Sequence, residues 1–173
     1  IRPDVKEKVL GTGEYVDDIV LPGMFYAKAL RSKYPRARVN KIDLSRAQQH
    51  SECVKILTAK DVPFNKTGHI VPDWDVMIAE GAITRYIGDA IALVCTKTEE
   101  ALDEVLALIE VDYTELTPVT SPTDALRAGA PLVHEGGNVF SRESLKRGDA
   151  AAAIKESKYV VTKKYYMPFN DHA

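Results

Sequence analysis

The stretch from residue 90 to residue 113 constrains the fold more than any other part of the chain. Ala90-Ile91-Ala92-Leu93-Val94-Cys95 is an unbroken apolar run. Such a run reads as a strand covered on both faces, because a half-exposed strand would alternate. Thr96 or Thr98 is placed to cap a following helix that reaches to about residue 109. Its apolar residues Ala101, Leu102, Val105, Leu106, Leu108 and Ile109 recur near the 3.6-residue period and make one broad stripe. Glu99, Glu100, Asp103 and Glu104 load its first turns with negative charge, which suits the positive end of the helix dipole. Ile109-Glu110-Val111-Asp112-Tyr113 then alternates and reads as a strand. A buried strand followed by a one-sided helix demands a sheet with helices packed on it.

The flanks add further elements. A turn at Leu21-Pro22-Gly23-Met24 precedes a strand over residues 24–30, and Arg31-Ser32-Lys33-Tyr34-Pro35 ends it. Residues 38–44 read as a half-exposed strand, residues 44–50 as a short helix and residues 53–57 as a strand. Residues 58–62 form one helical turn stopped by Pro63, and residues 64–82 are loop-like. Ser121-Pro122 opens a short helix, with Ser at the cap and Pro at the first helical position. Glu135-Gly136-Gly137-Asn138 reads as a flexible turn, and Gly148-Asp149 opens a helix over residues 150–157. Residues 158–167 alternate and predict a long final strand. Strands and helices do not alternate strictly, so the order favours an α+β fold with a mostly antiparallel or mixed sheet.

Charge narrows the function classes. Lys plus Arg is 23 and Asp plus Glu is 25, so the formal charge is -2. That balance provides no general attraction to nucleic acid or an anionic membrane. No run approaches the ~18 apolar residues of a membrane span. Cys53 and Cys95 both sit in apolar runs, outside any C-x-x-C pair. They read as reduced, buried thiols of a cytoplasmic protein.

The chemistry-bearing residues are scattered. Gly11-Thr12-Gly13 lacks the third Gly of a dinucleotide loop, because position 16 is Val, and it reads as a structural turn. The run from Arg31 to Arg38 carries Arg31, Lys33, Arg36 and Arg38 around Tyr34. At this overall charge it reads as a solvated loop or a surface for an acidic partner rather than a nucleic-acid patch. Asp17-Asp18 and Asp73-Trp74-Asp75 pair carboxylates, but neither has the Gly and Glu of a calcium loop. Trp74 reads as the anchor of its long loop. His50, His69, His134 and His172 lack the spacing that puts two imidazoles on one helix face. These residues nominate no catalytic, cofactor-binding or metal-binding side chain.

One resemblance spans nearly the whole chain. Arg2-Pro3-Asp4, Lys8-Val9-Leu10-Gly11 and Tyr15-Val16-Asp17-Asp18-Ile19 are similar to the entry of the molybdenum-binding subunit in the xanthine dehydrogenase/aldehyde oxidase family. The similarity continues in order through Leu21-Pro22-Gly23-Met24, Leu57-Thr58-Ala59-Lys60-Asp61-Val62-Pro63 and Arg85-Tyr86-Ile87-Gly88-Asp89-Ala90. It goes on through Val111-Asp112-Tyr113-Thr114-Glu115-Leu116, Ala130-Pro131-Leu132-Val133-His134-Glu135 and Gly148-Asp149. The resemblance implies an α/β-hammerhead domain over residues 1–167, a mixed sheet with packed helices. Residues 168–173 would then begin the molybdopterin-binding domain.

It further implies a non-catalytic docking domain of an oxidoreductase that hydroxylates purines, other N-heterocycles or aldehydes with oxygen from water. Molybdopterin-bound molybdenum, [2Fe–2S] clusters and FAD would belong to the parent enzyme, with none held in this chain. The partners would be the downstream molybdopterin-binding domains and the iron–sulfur and FAD domains or subunits, with no nucleic acid and no membrane. The competing reading is a stand-alone carrier or binding domain of the barrel-sandwich type. A carrier would present a lysine at a hairpin tip, and the sequence has no Met-Lys-Met-like turn. A third reading is a small self-contained enzyme using His134, or His172 with Asp171.

Overall fold

Strand β6, Ala90–Thr96, is the centre of the observed architecture. In the computed structural model, which describes residues 3–170, two other strands flank it. These are β1, Tyr26–Arg31, and β3, Cys53–Thr58, and both pair with it antiparallel. The apolar run of β6 is covered on both sides, as the sequence requires. Ala92 and Val94 point into one core cluster, and Ile91, on the opposite parity of the strand, points into a second. Period-two geometry produces this division from a single strand.

The first cluster is closed by helix α3, Ala101–Ala107, whose Leu102 and Val105 are buried against β6. Ala47 from helix α2, Ser45–Gln48 (helix α1 is Val5–Leu10), Ile56 from β3 and Ile109 complete it. Full burial of one such aliphatic side chain contributes about 1.5–3 kcal/mol. The start of α3 differs from expectation. Glu100 occupies the cap position without a side-chain bond, and the Thr96 hydroxyl instead donates to the Thr98 carbonyl at 2.7 Å. Thr96 is fully buried as the last residue of β6, so its hydroxyl satisfies the turn rather than reaching the helix.

The second cluster lies beneath a two-stranded sheet. Strand β2, Ala37–Asp43, pairs antiparallel with β7, Glu110–Glu115. Ala37 and Val39 are fully buried, so Arg36 and Arg38 are placed on the opposite face of the same segment. A third small ladder joins β4, Lys66–Thr67, to β5, Trp74–Asp75, inside the region that reads as loop. Helix α4, Pro122–Ala125, starts as expected: the Ser121 hydroxyl accepts from the Asp124 amide at 3.4 Å.

The chain divides into two compact units, residues 1–138 and 139–173. The second holds helix α5, Ala150–Glu156, capped by Asp149, whose carboxylate accepts from the Ala152 amide at 3.0 Å. The final strand expected over residues 158–167 is not formed. Alternation assigns faces to a strand, but a strand also needs a neighbour for its backbone groups. Residues 158–167 have no ladder partner among the described residues, and Tyr159, Val161, Tyr165 and Met167 are all exposed.

Candidate functional site

A cavity of about 370 Å³ opens in the first unit beside β2. Residues 81–85 run along the free edge of β2 and form one wall. The Val39 amide donates to the Ala82 carbonyl at 2.9 Å, and the Thr84 amide donates to the Ala37 carbonyl at 2.8 Å. The buried Thr84 hydroxyl accepts from the Ala37 amide at 2.9 Å, which seals the crossing. The next residue, Arg85, is thereby delivered to the cavity.

Asp75 anchors Arg85 there. Its carboxylate bonds the Arg85 guanidinium and pairs with Lys66 at 2.7 Å. Both Asp75 and Arg85 side chains are only 11% exposed. Burial works to raise the Asp75 carboxyl, but its bonds with Lys66 and Arg85 prevail and hold it below the ordinary carboxylate range. Arg85 Nε also donates to the Val133 carbonyl at 3.1 Å, which ties in the loop carrying His134. Asp89, almost fully buried, accepts from the Arg85 and Tyr86 amides at 2.5 and 3.3 Å. That turn needs Gly88, whose φ is +114° and whose missing Cβ would press on the Tyr86 ring.

Trp74 holds the outer side. Its ring lies 5.6 Å from Tyr86 and 5.3 Å from His134, both tilted. His134 Nδ1 is 2.9 Å from an Asp73 oxygen, without the alignment of a hydrogen bond. Trp74 thus anchors its loop, as the sequence suggests, and it does so through aromatic neighbours 12 and 60 residues later.

Two arginines remain. The Arg36 guanidinium donates to the Thr117 carbonyl at 3.1 Å, and Arg38 donates to the Gly81 carbonyl at 2.7 Å. Neither has a carboxylate partner among the described residues. Each keeps further N–H donors for other acceptors. The cavity lining carries four cations, Arg36, Arg38, Lys66 and Arg85, against Asp75 and Glu135, so it is positive by two charges with His134 neutral.

The structure therefore gathers Arg36, Arg38, Asp73, Trp74, Asp75 and His134 from separate sequence segments. It leaves the other candidates elsewhere. Asp18 accepts from the Tyr15 amide at 2.8 Å and caps a 3-10 turn at Val16–Asp18, in which Asp17 is an exposed member. His50 lies 3.6 Å from Glu104 and accepts from the Glu52 amide through Nδ1. His172 lies outside the described residues. Cys53 and Cys95 are free thiols on adjacent strands. Burial, reinforced by Cys95, pushes the Cys53 thiol up and away from reactive thiolate.

Two residues passed over in the sequence prove structural. Asn138 donates to the Ala125 and Pro131 carbonyls and accepts from the Val133 amide at 2.8 Å, fixing the turn that reads as flexible. Asn65 likewise brackets Met77 with two bonds. Asn beside Gly-rich or loop segments is the available signal, since its amide mimics backbone.

Among the described residues no three His, Cys, Asp or Glu side chains converge on a metal-sized site. Two thiols in the whole chain also fall short of the four that hold an iron–sulfur cluster.

Residues 10–117 match the family described as aldehyde oxidase and xanthine dehydrogenase, a/b hammerhead domain. Over 173 aligned residues the chain is 38% identical to a probable xanthine dehydrogenase subunit of Bacillus subtilis (strain 168), covering 99% of this chain and 23% of that protein. It is 33% identical to the nicotinate dehydrogenase large molybdopterin subunit of Eubacterium barkeri, covering 95% of this chain and 39% of that protein. The crystal structure of quinoline 2-oxidoreductase from Pseudomonas putida 86 superposes with a TM-score of 0.79 at 30% identity, covering 93% of this chain and 22% of that one. The chain thus spans between about a quarter and two fifths of the length of these relatives.

Proposed function

The chain belongs to the aldehyde oxidase and xanthine dehydrogenase family through its a/b hammerhead domain, and from that premise we propose that it is a non-catalytic docking module of a molybdenum hydroxylase. The domain would occupy residues 1–167, with residues 168–173 leading into the molybdopterin-binding domain. The complete enzyme would hydroxylate a purine, another N-heterocycle or an aldehyde with oxygen taken from water. Molybdopterin-bound molybdenum would supply that chemistry from residues outside this chain. Iron–sulfur and FAD domains or subunits would carry the electrons away. The protein would work in the cytoplasm; no helix among the described residues is long and apolar enough to cross a membrane.

One observation carries this reading. Tyr159, Val161, Tyr165, Tyr166, Met167 and Phe169 form a run of exposed large apolar side chains, with Phe169 94% exposed. A run of that kind marks a surface awaiting a partner, because scattered single exposed residues need no explanation but contiguous ones do. Rigid cofactor spacing in turn requires well-packed supporting domains.

The test is co-expression of this chain with the remainder of the large subunit as a separate polypeptide. The two pieces are expected to co-purify and reconstitute hydroxylase activity. The chain by itself is expected to lack molybdenum by elemental analysis, iron–sulfur absorbance and turnover. Stoichiometric molybdenum or hydroxylase turnover on the lone chain would refute the reading.

A further inference from the structure

The cavity beside β2 has no part in the docking reading, and its charge calls for a ligand of its own. Lys66 and Arg85 are committed to Asp75. Arg36 and Arg38 are held only through carbonyl oxygens, each by one N–H. Those two carbonyl bonds neutralise no charge. They fix the direction of each guanidinium and leave the other N–H groups available.

The two arginines alternate with Ala37, which is fully buried, so they project from the same face of the β2 segment. Guanidinium forks bind oxyanions through paired N–H groups, more strongly than neutral donors do. The volume lies in the lower part of the roughly 300–1,000 Å³ range of small-ligand sites. Ile83, Val119 and Leu132 line the same space, so an apolar body attached to the anion would also find contact.

We propose that this cavity binds a phosphate dianion, with Arg36 and Arg38 as the recognising pair and the Asp75–Arg85 bond as the rigid support of the wall. The anion is either free phosphate or the head of an organic phosphomonoester. The net positive lining matches the charge of either.

The experiment is an NMR titration of the 173-residue chain at constant ionic strength, with inorganic phosphate in one arm, phenyl phosphate in a second and chloride as control. Saturable shifts are expected at millimolar phosphate, on amides of residues 36–38, 81–85 and 133–135. Tighter binding of phenyl phosphate assigns the site to an organic phosphate, and equal binding assigns it to the free ion. R36Q/R38Q is expected to weaken binding at least tenfold. Absence of saturation, shifts confined to other residues, or a response reproduced by chloride overturns the proposal. So does unchanged affinity in a folded R36Q/R38Q. The wild-type shift map decides the matter even if that variant does not fold.

Discussion

Asp75 shows how one side chain can organise a region that the sequence presents as loop. It joins Lys66 and Arg85, and through Arg85 it reaches Val133. Removing one partner of such a largely buried pair leaves the other charge uncompensated, which costs on the order of 3 kcal/mol. D75A is therefore expected to lower unfolding stability in urea by about that amount, whereas D17A, at an exposed position, should change it by less than about 0.5 kcal/mol. Equal effects from the two substitutions would discount the ion-pair account. The pH dependence follows from the same carboxyl. Its folded pKa lies below the unfolded value of about 3.9, so its stabilisation is complete above that pH and is lost as pH falls through the lower, folded value. Acid titration of D75N should show a shallower stability loss below about pH 4 than the wild type. Asp43, strongly lowered by its bonds from Ser45 and then by Lys41, remains in both and contributes to the residual slope, together with Glu80, lowered by the Ile42 amide and then by Lys60, and Asp61, lowered by the Thr58 amide.

The two-faced burial of β6 belongs to the scale of elements. Ile91 is fully buried in the second cluster, whereas Ile87, four residues earlier, is 63% exposed. I91A is expected to destabilise by roughly 2–5 kcal/mol and I87A by less than about 0.5 kcal/mol, read from urea midpoints. Comparable midpoints for the two variants would mean that the second cluster is not a packed core. That strand is legible in the sequence because an unbroken apolar run has few alternatives. Helix α3 and strand β7 are legible from their periods. What escapes is whatever depends on distant partners. The 66–75 ladder is only two residues a side and rests on the Lys66, Asp75 and Arg85 bonds. The cavity arises because residues 81–85 lie beside β2, and no local pattern announces that pairing. Arg36, Arg38, Trp74 and His134 are each visible as single features, but only the fold brings them to one place. Residues 158–167 mark the opposite error: a strand pattern without a strand, because alternation says nothing about who supplies the neighbouring backbone.

At the scale of the whole molecule, that unpaired segment makes a specific demand. Tyr159, Val161, Tyr165 and Met167 share one parity, while Val160 and Tyr166 expose apolar surface on the other. An extended piece that is apolar on both sides suits a position inside a sheet covered by two layers, as β6 is in this chain. Until such a neighbour is present, the segment should promote self-association, since open backbone groups and apolar side chains recruit other copies. V161K/Y165K removes that attraction at two exposed positions, of which Tyr165 is 82% exposed. Neither residue lies in the first unit or its two cores, so the urea midpoint of that unit should move by less than about 0.5 kcal/mol. Sedimentation velocity across a concentration series should show the wild type associating and the variant remaining monomeric. In co-expression with the rest of the large subunit, the same variant should lose co-purification although its fold is intact. A variant that still co-purifies at wild-type yield would move the docking surface away from residues 158–169, and would leave the exposed apolar positions of the first unit, Val16, Val20 and Leu21 among them, as its site.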